Sequence, residues 1–582
     1  TMGLQLLLSS ITLVSAEEES VTYQAPESPA VTYNMNVDWK YKRAADNAVF
    51  PLATAAAGVA KDGKQFYDVD YDDSDWETVS VPHAVNAEDS FDGVGLDAGE
   101  ASLYRGFMFY RKNITIPASD AGKKLILEIE AIRQSVYLYA NGQMVGYYEA
   151  GIAPIGFDIT DYVTPGEEAV IAIATDNAAS RGSTFNTQET IPGHTPGDLS
   201  GVGYQWNTKD FNEVQGGLTG NVILYAKNKI YQTLPLYNNL KTSGNYIYGS
   251  NFDFRENSAD VTVEAEVRNE TGEAKDITLE VNVVDGDGKL VSTFSKTENV
   301  PAATDTENDN FLTMVPDNAY DENGTGLENN DVDTSTVDVT KITATQNISD
   351  MHFWSDVSPY LYTVYTVLKD GDNVIDVQEK VTGFREVKYD NVNGLQINGK
   401  TTYLKGYAQR STNEWAAIGV ANDWLEDIDM QLIKESNANF IRWMHVAPKP
   451  NAIRSGDKYG VISVAPAGDK EGDTTGRNWD QRVEAMRDVI IYYRNSPSVI
   501  FYEAGNNQIT PEHMREMTEL RKELDPDGGR MMGCRTISSP EQIAEAEWAG
   551  TMLYRNGDAA YESMQQLNHF IPILETENHR NE

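Results

Sequence analysis

The feature that most constrains the fold of this chain is a repeated strand–helix pattern that begins at about Lys388. Short apolar runs of strand length alternate there with stretches of helical periodicity. Regular alternation of this kind favours a parallel sheet whose strands are joined by right-handed helical crossovers. Eight such units close a (β/α)8 barrel. Residues 388–582 contain seven apolar runs, so the sequence predicts a TIM barrel truncated after strand 7, and hence a fragment.

The predicted barrel elements can be placed from their apolar residues. The seven strands are expected at residues 403–406, 439–444, 461–464, 499–502, 530–533, 551–554 and 573–577. The first helix is predicted from apolar residues that recur at helical spacing and should pack on the sheet. These residues are Trp424, Leu425, Ile428, Leu432 and Ile433.

The part of the chain that precedes the barrel is rich in β-strand patterns. Residues 36–232 contain short alternating runs separated by turn residues, among them Asn141-Gly142, and predict a jelly-roll-type β-sandwich. Residues 233–387 alternate again, most clearly at 261–267, and predict an immunoglobulin-like β-sandwich. An acidic, solvated insertion is expected within it at 301–340.

Charge and composition exclude several classes of partner. The chain has 46 basic and 89 acidic residues, a net charge of −43, which would repel nucleic acid and anionic membranes. Cys534 is the only cysteine, so neither a disulfide within the chain nor a cysteine metal site can form. No cofactor is predicted, and a carboxylate-bound divalent or monovalent ion is left open.

The N-terminal residues 1–20 resemble part of a secretory signal peptide. An apolar run reaches Val14 and is followed by Ser15-Ala16 and an acidic stretch. The basic segment that normally comes first is missing, so a truncated signal is expected. We therefore expect a secreted or periplasmic protein; a homo-oligomer is left open.

Several motifs in order resemble glycoside hydrolase family 2, the group of β-galactosidases, β-glucuronidases and β-mannosidases. The resemblance covers the chain from about Val37 to the end. The matching segments are residues 71–77 with 81–83, Gly-Gly-Leu-Thr-Gly at 216–220, Gly-Phe-Arg-Glu-Val at 383–387, residues 394–400, Leu-Lys-Gly at 404–406, and Arg442 with His445 and Pro448. The resemblance implies a sugar-binding sandwich, an immunoglobulin-like domain and a catalytic barrel, in that order.

The resemblance also implies a retaining mechanism with two carboxyl groups. Glu577 falls on the position of the family's nucleophile at the end of strand seven, with Glu575 as the rival two residues earlier. Asn506 would hydrogen-bond the 2-hydroxyl of the sugar. The family places its acid/base glutamate after strand four, where this chain has Asn507.

Three explanations for Asn507 are open. Another acid can serve, with Glu512 on the following loop as the better candidate and His513 and Asp469 as weaker ones. Glu503 lies roughly 13 Å deeper along the strand, which is too far. Alternatively the substrate's own carboxylate assists, or hydrolysis is lost and the barrel only binds sugar.

Further substrate contacts follow from positions at strand ends. Arg442 and His445 end the second strand and would line the subsite, and Tyr554 could orient the nucleophile. Gln409 and Arg410 end the first strand, and Arg410 could pair with a carboxylate or sulfate on the sugar. That pairing gives weak support for a uronide.

The predicted function is a retaining exo-glycosidase that hydrolyses terminal β-glycosides of the β-galactoside or β-uronide class, acting on an oligosaccharide in polysaccharide breakdown. The alternative is a carbohydrate-binding pseudoenzyme of the same fold that lacks its acid/base. A purely structural surface protein, a third class, would bind no sugar.

Overall fold

The computed structural model describes most of the three predicted domains. The described residues are 22–44, 52–85, 106–132, 136–148, 153–176, 216–305, 337–390, 392–410, 422–444, 447–467, 473, 475, 477–537, 539–551 and 571–576. Six predictions fall wholly or mostly outside them: the signal peptide, the acidic insertion (residues 306–336 of it), His445, Asp469, Tyr554 and Glu577.

The first domain is a sandwich of two antiparallel sheets. Its elements are β1 (Val31–Asn34), β2 (Trp39–Arg43), α1 (Leu52–Val59), β3 (Glu77–Val79), β4 (Phe107–Thr115), β5 (Lys124–Ile129), β6 (Val136–Ala140), β7 (Gln143–Tyr148), β8 (Ile155–Asp158), β9 (Glu168–Asp176) and β10 (Val222–Lys227). One sheet has the order β1-β10-β5-β8 and the other β3-β2-β4-β9-β6-β7. In β4, Met108 and Tyr110 face the core between the sheets, whereas Phe107 and Phe109 pack in a second cluster with α1. This confirms the predicted jelly-roll-type sandwich.

The second domain is also a two-sheet sandwich, as predicted for an immunoglobulin-like domain. Its elements are β11 (Ile230–Gln232), α2 (Tyr237–Leu240), β12 (Tyr246–Asp253), β13 (Ser258–Asn269), β14 (Lys275–Val284), β15 (Leu290–Val300), β16 (Thr340–Ile348), β17 (Tyr362–Asp370) and β18 (Asn373–Thr382). One sheet is built around β13 and the other has the order β15-β14-β17-β18. Alternate residues of β13 and β14 are fully buried between the sheets, including Val261, Val263, Leu279 and Val281.

A small antiparallel sheet leads into the third domain. It consists of β19 (Val387–Asp390), β20 (Gly394–Ile397) and β21 (Lys400–Thr401). The strands that follow are β22 (Gly406–Arg410), β23 (Phe440–Met444), β24 (Ile462–Pro466), β25 (Val499–Glu503), β26 (Met531–Cys534), β27 (Trp548–Thr551) and β28 (Ile573–Glu575). The helices between them are α3 (Asp423–Glu435), α4 (Pro450–Tyr459), α5 (Arg477–Tyr493), α6 (Pro511–Leu524) and α7 (Pro540–Glu545).

The seven strands β22 to β28 form one parallel sheet in consecutive order, as a barrel requires. Their side chains alternate between the two faces. Phe440, Phe501 and Trp548 pack edge to face on the inner side, whereas Ile441 and Trp443 pack outward on helices α3 and α4. The aromatic layer fills the inside of the sheet below the carboxyl ends of the strands.

Two strands and one helix face differ from the sequence prediction. The first barrel strand begins at Gly406 rather than residue 403, and the sixth begins at Trp548 rather than residue 551. The Trp-Ala-Gly sequence at 548–550 offers little apolar signal although all three residues are buried. The packing face of α3 was wrong in part, because three of its five residues are exposed. These are Trp424, Ile428 and Leu432, with exposed fractions of 60%, 41% and 57%.

Buried polar contacts join the domains to each other. The Tyr148 hydroxyl of the first sandwich donates to Asp488 of α5 at 2.6 Å. Arg385, which ends the second domain, donates to the carbonyls of Pro497, Gly528 and Val499 at 2.6–3.0 Å. These bonds fix both sandwiches against the barrel. Among the described residues, no helix has the length and apolar character needed to cross a membrane.

Candidate active site

The candidate site lies at the carboxyl ends of the barrel strands, above the aromatic layer. Arg442 is two residues beyond Phe440 on β23, and Glu503 is two residues beyond Phe501 on β25. Because side chains alternate along a strand, both project to the inner face one layer above the aromatic rings. Their exposed fractions are 0% and 1%.

Arg442 and Glu503 form a buried bidentate ion pair. Arg442 Nε donates to Glu503 Oε2 at 2.7 Å, and Nη2 donates to Oε1 at 2.5 Å. Two parallel charge-assisted bonds of this kind fix both side chains. Both carboxylate oxygens of Glu503 are therefore occupied by Arg442. This agrees with the sequence analysis, which excluded Glu503 as a replacement acid because it lies too deep in the barrel.

The side-chain amide of Asn506 sits directly on this ion pair. Its Oδ1 accepts from Arg442 Nη2 at 3.0 Å and from Arg535 Nε at 2.5 Å. Guanidinium groups only donate, so the atom facing them must be the oxygen. The Nδ2 of Asn506 is thereby turned the other way, and it is buried without a hydrogen-bond partner among the described residues.

Arg535 was missed by the sequence analysis. It follows β26 immediately, is 4% exposed, and its Nη2 donates to Asn507 Oδ1 at 3.1 Å. Its backbone N–H also donates to the Gly505 carbonyl at 3.1 Å. The available signal was its position directly after a barrel strand, where functional side chains collect.

Buried neighbours hold the backbone of residues 505–507. The Cys534 thiol lies 3.0 Å from the Gly505 carbonyl oxygen and 3.2 Å from that of Asn507. The Thr536 hydroxyl donates to the Asn506 carbonyl at 3.4 Å. The turn after β25 is therefore supported mainly by the strand next to it.

Family models match three stretches that together make up most of the chain. Residues 43–190 match the sugar binding domain of glycosyl hydrolases family 2, residues 246–385 match the family's own model, and residues 387–569 match its TIM barrel domain. The chain belongs to glycoside hydrolase family 2.

Individual relatives of this family 2 chain agree with that result. A beta-glucuronidase of Formosa agariphila is 35% identical over 511 residues, which are 87% of this chain and 45% of the relative. A beta-galactosidase of Bacteroides ovatus is 22% identical over 82% of this chain and 47% of its own length. The chain thus spans about half the length of the curated relatives that it matches.

Solved structures share the fold. The structure of a beta-glucuronidase from glycoside hydrolase family 2 superimposes with a TM-score of 0.77 at 32% identity, covering 96% of this chain and 51% of the other. A Bacteroides uniformis beta-glucuronidase superimposes with a TM-score of 0.69 at 19% identity, covering 94% and 59%. The latter shows the fold alone.

Asn507 is assigned from the sequence to the position of the family's acid/base, and this assignment stays a prediction. Asn507 is half-buried, and its Oδ1 accepts from Arg535. Glu512, the candidate replacement acid, is exposed in the first turn of α6. No described contact joins Glu512 to Asn506 or Asn507, so its role as the acid stays a prediction.

His513 has partners of its own. Its Nδ1 lies 2.8 Å from Asp473 Oδ1, and its ring stacks on Trp479 with centroids 3.7 Å apart. Asp469, the other weak candidate, lies outside the described residues. Among the described residues, no cluster of three or more His, Cys, Asp and Glu side chains has the arrangement of a metal site.

Of the two candidate residues that end the first barrel strand, the structure describes the side chain of Gln409 only. Gln409 is half-buried, and its side chain hydrogen-bonds Asp429 of α3. Burial raises the pKa of Asp429, and the hydrogen bond from Gln409 offsets only part of that rise. The side chain of Gln409 therefore points toward the helix layer rather than into the barrel, which disagrees with a sugar contact. The side chain of Arg410 lies outside the described part of the chain.

The residue before the predicted nucleophile is well anchored. Thr576 is buried, and both its N–H and its hydroxyl donate to the Thr551 carbonyl, at 3.1 and 2.9 Å. The rival Glu575 is half-buried at the end of β28. Thr576 thus fixes the backbone at the point where the chain reaches Glu577.

Proposed function

We propose that this protein hydrolyses terminal β-glycosides, with β-glucuronides preferred over β-galactosides. The observation that carries the proposal is the Asn506 amide, whose oxygen is held by two guanidinium groups and whose Nδ2 is a buried donor with no described partner. A donor fixed in this way needs no reorganisation when a sugar hydroxyl arrives. The family 2 barrel and the 35% identical beta-glucuronidase support the reaction class and the sugar.

The proposed mechanism is retaining. Glu577 attacks the anomeric carbon, the bond to the leaving oxygen breaks, and a covalent glycosyl-enzyme forms, which water then cleaves. Asn506 Nδ2 donates to the 2-hydroxyl, a contact that strengthens as positive charge develops on the ring. The guanidinium of Arg442 is already hydrogen-bonded to Glu503 and Asn506, so Arg442 acts through Asn506, as a positioning residue rather than a sugar contact.

Asn507 decides which substrates react well. An amide cannot protonate the leaving oxygen, and it cannot deprotonate the incoming water. General acid–base help is typically worth ~10²–10⁴-fold. Aryl glycosides with acidic leaving groups should therefore react far faster than alkyl glycosides, and hydrolysis of the glycosyl-enzyme should limit turnover.

The test is hydrolysis of 4-nitrophenyl β-D-glucuronide and β-D-galactoside with and without sodium azide. Azide attacks the glycosyl-enzyme without a base, so it should raise turnover by ~10²-fold or more and yield the β-glycosyl azide. Glu577→Gln is the control and should abolish both reactions. Absence of a covalent intermediate and of turnover with either sugar would contradict the proposal, and sugar binding without turnover would indicate the pseudoenzyme instead.

We propose also that the protein is secreted or periplasmic. The support is the apolar run before Ser15-Ala16 and the strongly acidic composition. Cell fractionation with N-terminal sequencing of the mature protein tests this. Recovery in the cytoplasm with the apolar run still attached would contradict it.

A further inference from the structure

A cavity of about 550 Å³ lies between the first sandwich and the barrel. This size is within the range of small-molecule sites, about 300–1,000 Å³. The sandwich contributes Asn36, Glu130 and Asn221 to its wall, and the barrel contributes Trp424, Lys449 and Pro450. Neither domain forms the cavity alone.

The cavity opens at the same end of the barrel as the candidate active site. Trp424 lies in the first turn of α3, which follows β22, and Lys449 and Pro450 begin α4, which follows β23. Segments that follow parallel strands meet at the carboxyl edge of the sheet. Asn506 follows β25 at that same edge.

The sandwich side of the cavity is a fixed row of hydrogen-bonding groups. Asn36 Nδ2 donates to Asn221 Oδ1 at 2.8 Å, and Asn221 Nδ2 donates to Glu130 Oε2 at 2.5 Å. The Val222 N–H donates to Asn36 Oδ1 at 2.9 Å and sets the direction of the row. Each amide nitrogen has a second N–H, and a carboxylate accepts more than one bond, so the row can also bind hydroxyl groups.

The barrel side offers an aromatic surface. The Trp424 side chain is 60% exposed, although it begins a helix whose opposite side is packed on the sheet. An exposed indole beside fixed amides and a carboxylate is the combination that a pyranose ring requires, since its C–H face packs on the ring and its hydroxyls reach the polar row. Glu130 and Asp423 are balanced by Lys449 and by Arg454, which lies 3.5 Å from Glu130 and 3.7 Å from Asp423, so the site has no excess charge and favours a neutral sugar.

We propose that this cavity is a second saccharide-binding site, which takes a neutral sugar unit with Trp424 against its ring. The claim that this sugar unit belongs to the substrate, beyond the bond that is cleaved, rests on the proposed function. The claim that the cavity binds a sugar does not depend on it. The site would let the protein select oligosaccharides by a unit that the active site never touches.

The test is calorimetric titration of the whole chain carrying Glu577→Gln with neutral β-linked tetrasaccharides of glucose, galactose, mannose and xylose. We expect at least one to bind, and Trp424→Ala to weaken that binding about tenfold, as expected for loss of an aromatic anchor. Trp424→Phe should restore most of the affinity. Leu432→Ala is the matched control, since Leu432 is 57% exposed on the same helix but does not line the cavity, and it should change nothing.

Three results would overturn the site. The first is that none of the tetrasaccharides binds. The second is that the Trp424→Ala variant binds as tightly as the parent, and the third is that Leu432→Ala weakens binding as much as Trp424→Ala does. A melting temperature that falls with Trp424→Ala while affinity is unchanged would show that the indole packs against protein. Titration of the Glu577→Gln chain needs no turnover. Tetrasaccharide binding to that chain, together with no hydrolysis of either 4-nitrophenyl glycoside by the parent, would therefore contradict the proposed function and leave the site standing.

Discussion

At the scale of single residues, three buried charged side chains surround one amide of the candidate site. Arg442, Glu503 and Arg535 are all buried, and together they orient one amide, that of Asn506. Arg535 also donates to Asn507, which is assigned from the sequence to the position of the family's acid. A cation at hydrogen-bond distance from that position would hold the pKa of any carboxyl group placed there below its usual range. Asn507 thus sits where an acid would be hard to keep protonated.

Restoring the glutamate tests this reasoning. Asn507→Glu should raise hydrolysis of aryl β-glucuronides by ~10²-fold or more through base catalysis of the second step. Arg535 should keep the introduced carboxyl ionised, so activity toward alkyl glycosides should improve only at low pH. Adding Arg535→Gln should raise the pKa of the introduced carboxyl group. The basic limb of the pH–rate profile, where this group loses its proton, should therefore move to higher pH. An unchanged limb in the double variant would contradict the role given to Arg535.

The Arg442–Glu503 pair gives a prediction about stability. Arg442→Met leaves a buried carboxylate without its partner, which should lower the free energy of unfolding of the barrel by about 3–5 kcal/mol. Arg442→Met combined with Glu503→Leu removes both charges and should recover much of that loss. Denaturant unfolding followed by tryptophan fluorescence measures both variants. Equal losses in the single and double variants would show that an unpaired buried carboxylate is not the cause of the loss.

At the scale of secondary structure elements, the contact between β5 and the barrel contains a buried acid. Glu128 of β5 has a pKa raised to about 7, chiefly by burial and then by the charge of Glu130, while Tyr225, Lys380 and Arg454 oppose the shift. Its exposed fraction is 4%. A carboxyl group with a raised pKa stabilises the folded protein only while protonated. The interface should therefore weaken as pH rises from about 4.5, the ordinary value, through about 7.

Glu128→Gln should remove this pH dependence. The variant should match the parent in stability at about pH 4.5, and should exceed it at about pH 8 by at most about 3 kcal/mol. Melting temperature measured across that range is the readout. Glu519→Gln, on the exposed side of α6, is the control and should follow the parent at every pH. If the melting temperatures of Glu128→Gln and the parent differed by the same amount at every pH, titration of Glu128 in this range would be contradicted.

At the scale of the whole molecule, one sign of charge dominates. The net charge of −43 is spread over three domains that are held together by buried polar contacts such as Tyr148–Asp488. Repulsion between like charges opposes a compact arrangement and is screened by salt over about 10 Å at 0.1 M. The charge therefore acts against the domain contacts rather than on the fold of each domain.

Salt should stabilise the protein as a consequence. Raising sodium chloride from about 0.02 to about 0.5 M should raise the melting temperature by several degrees, since the Debye length falls several-fold. Tyr148→Phe, which removes one contact between domains, should increase this salt dependence. A melting temperature that does not change with salt would show that the charges are already too far apart to interact.

The sequence by itself determined the order of domains, because strand alternation and βα repetition are local patterns that packing only completes. It also placed Asn506 and Asn507, which follow a strongly apolar strand. Tertiary structure alone decided the partners of those residues. Arg535 comes from the next strand, and its contact exists only because parallel strands bring their carboxyl ends together. The exposure of Trp424 and the cavity beside it depend likewise on how the first sandwich meets the barrel, which no local pattern records.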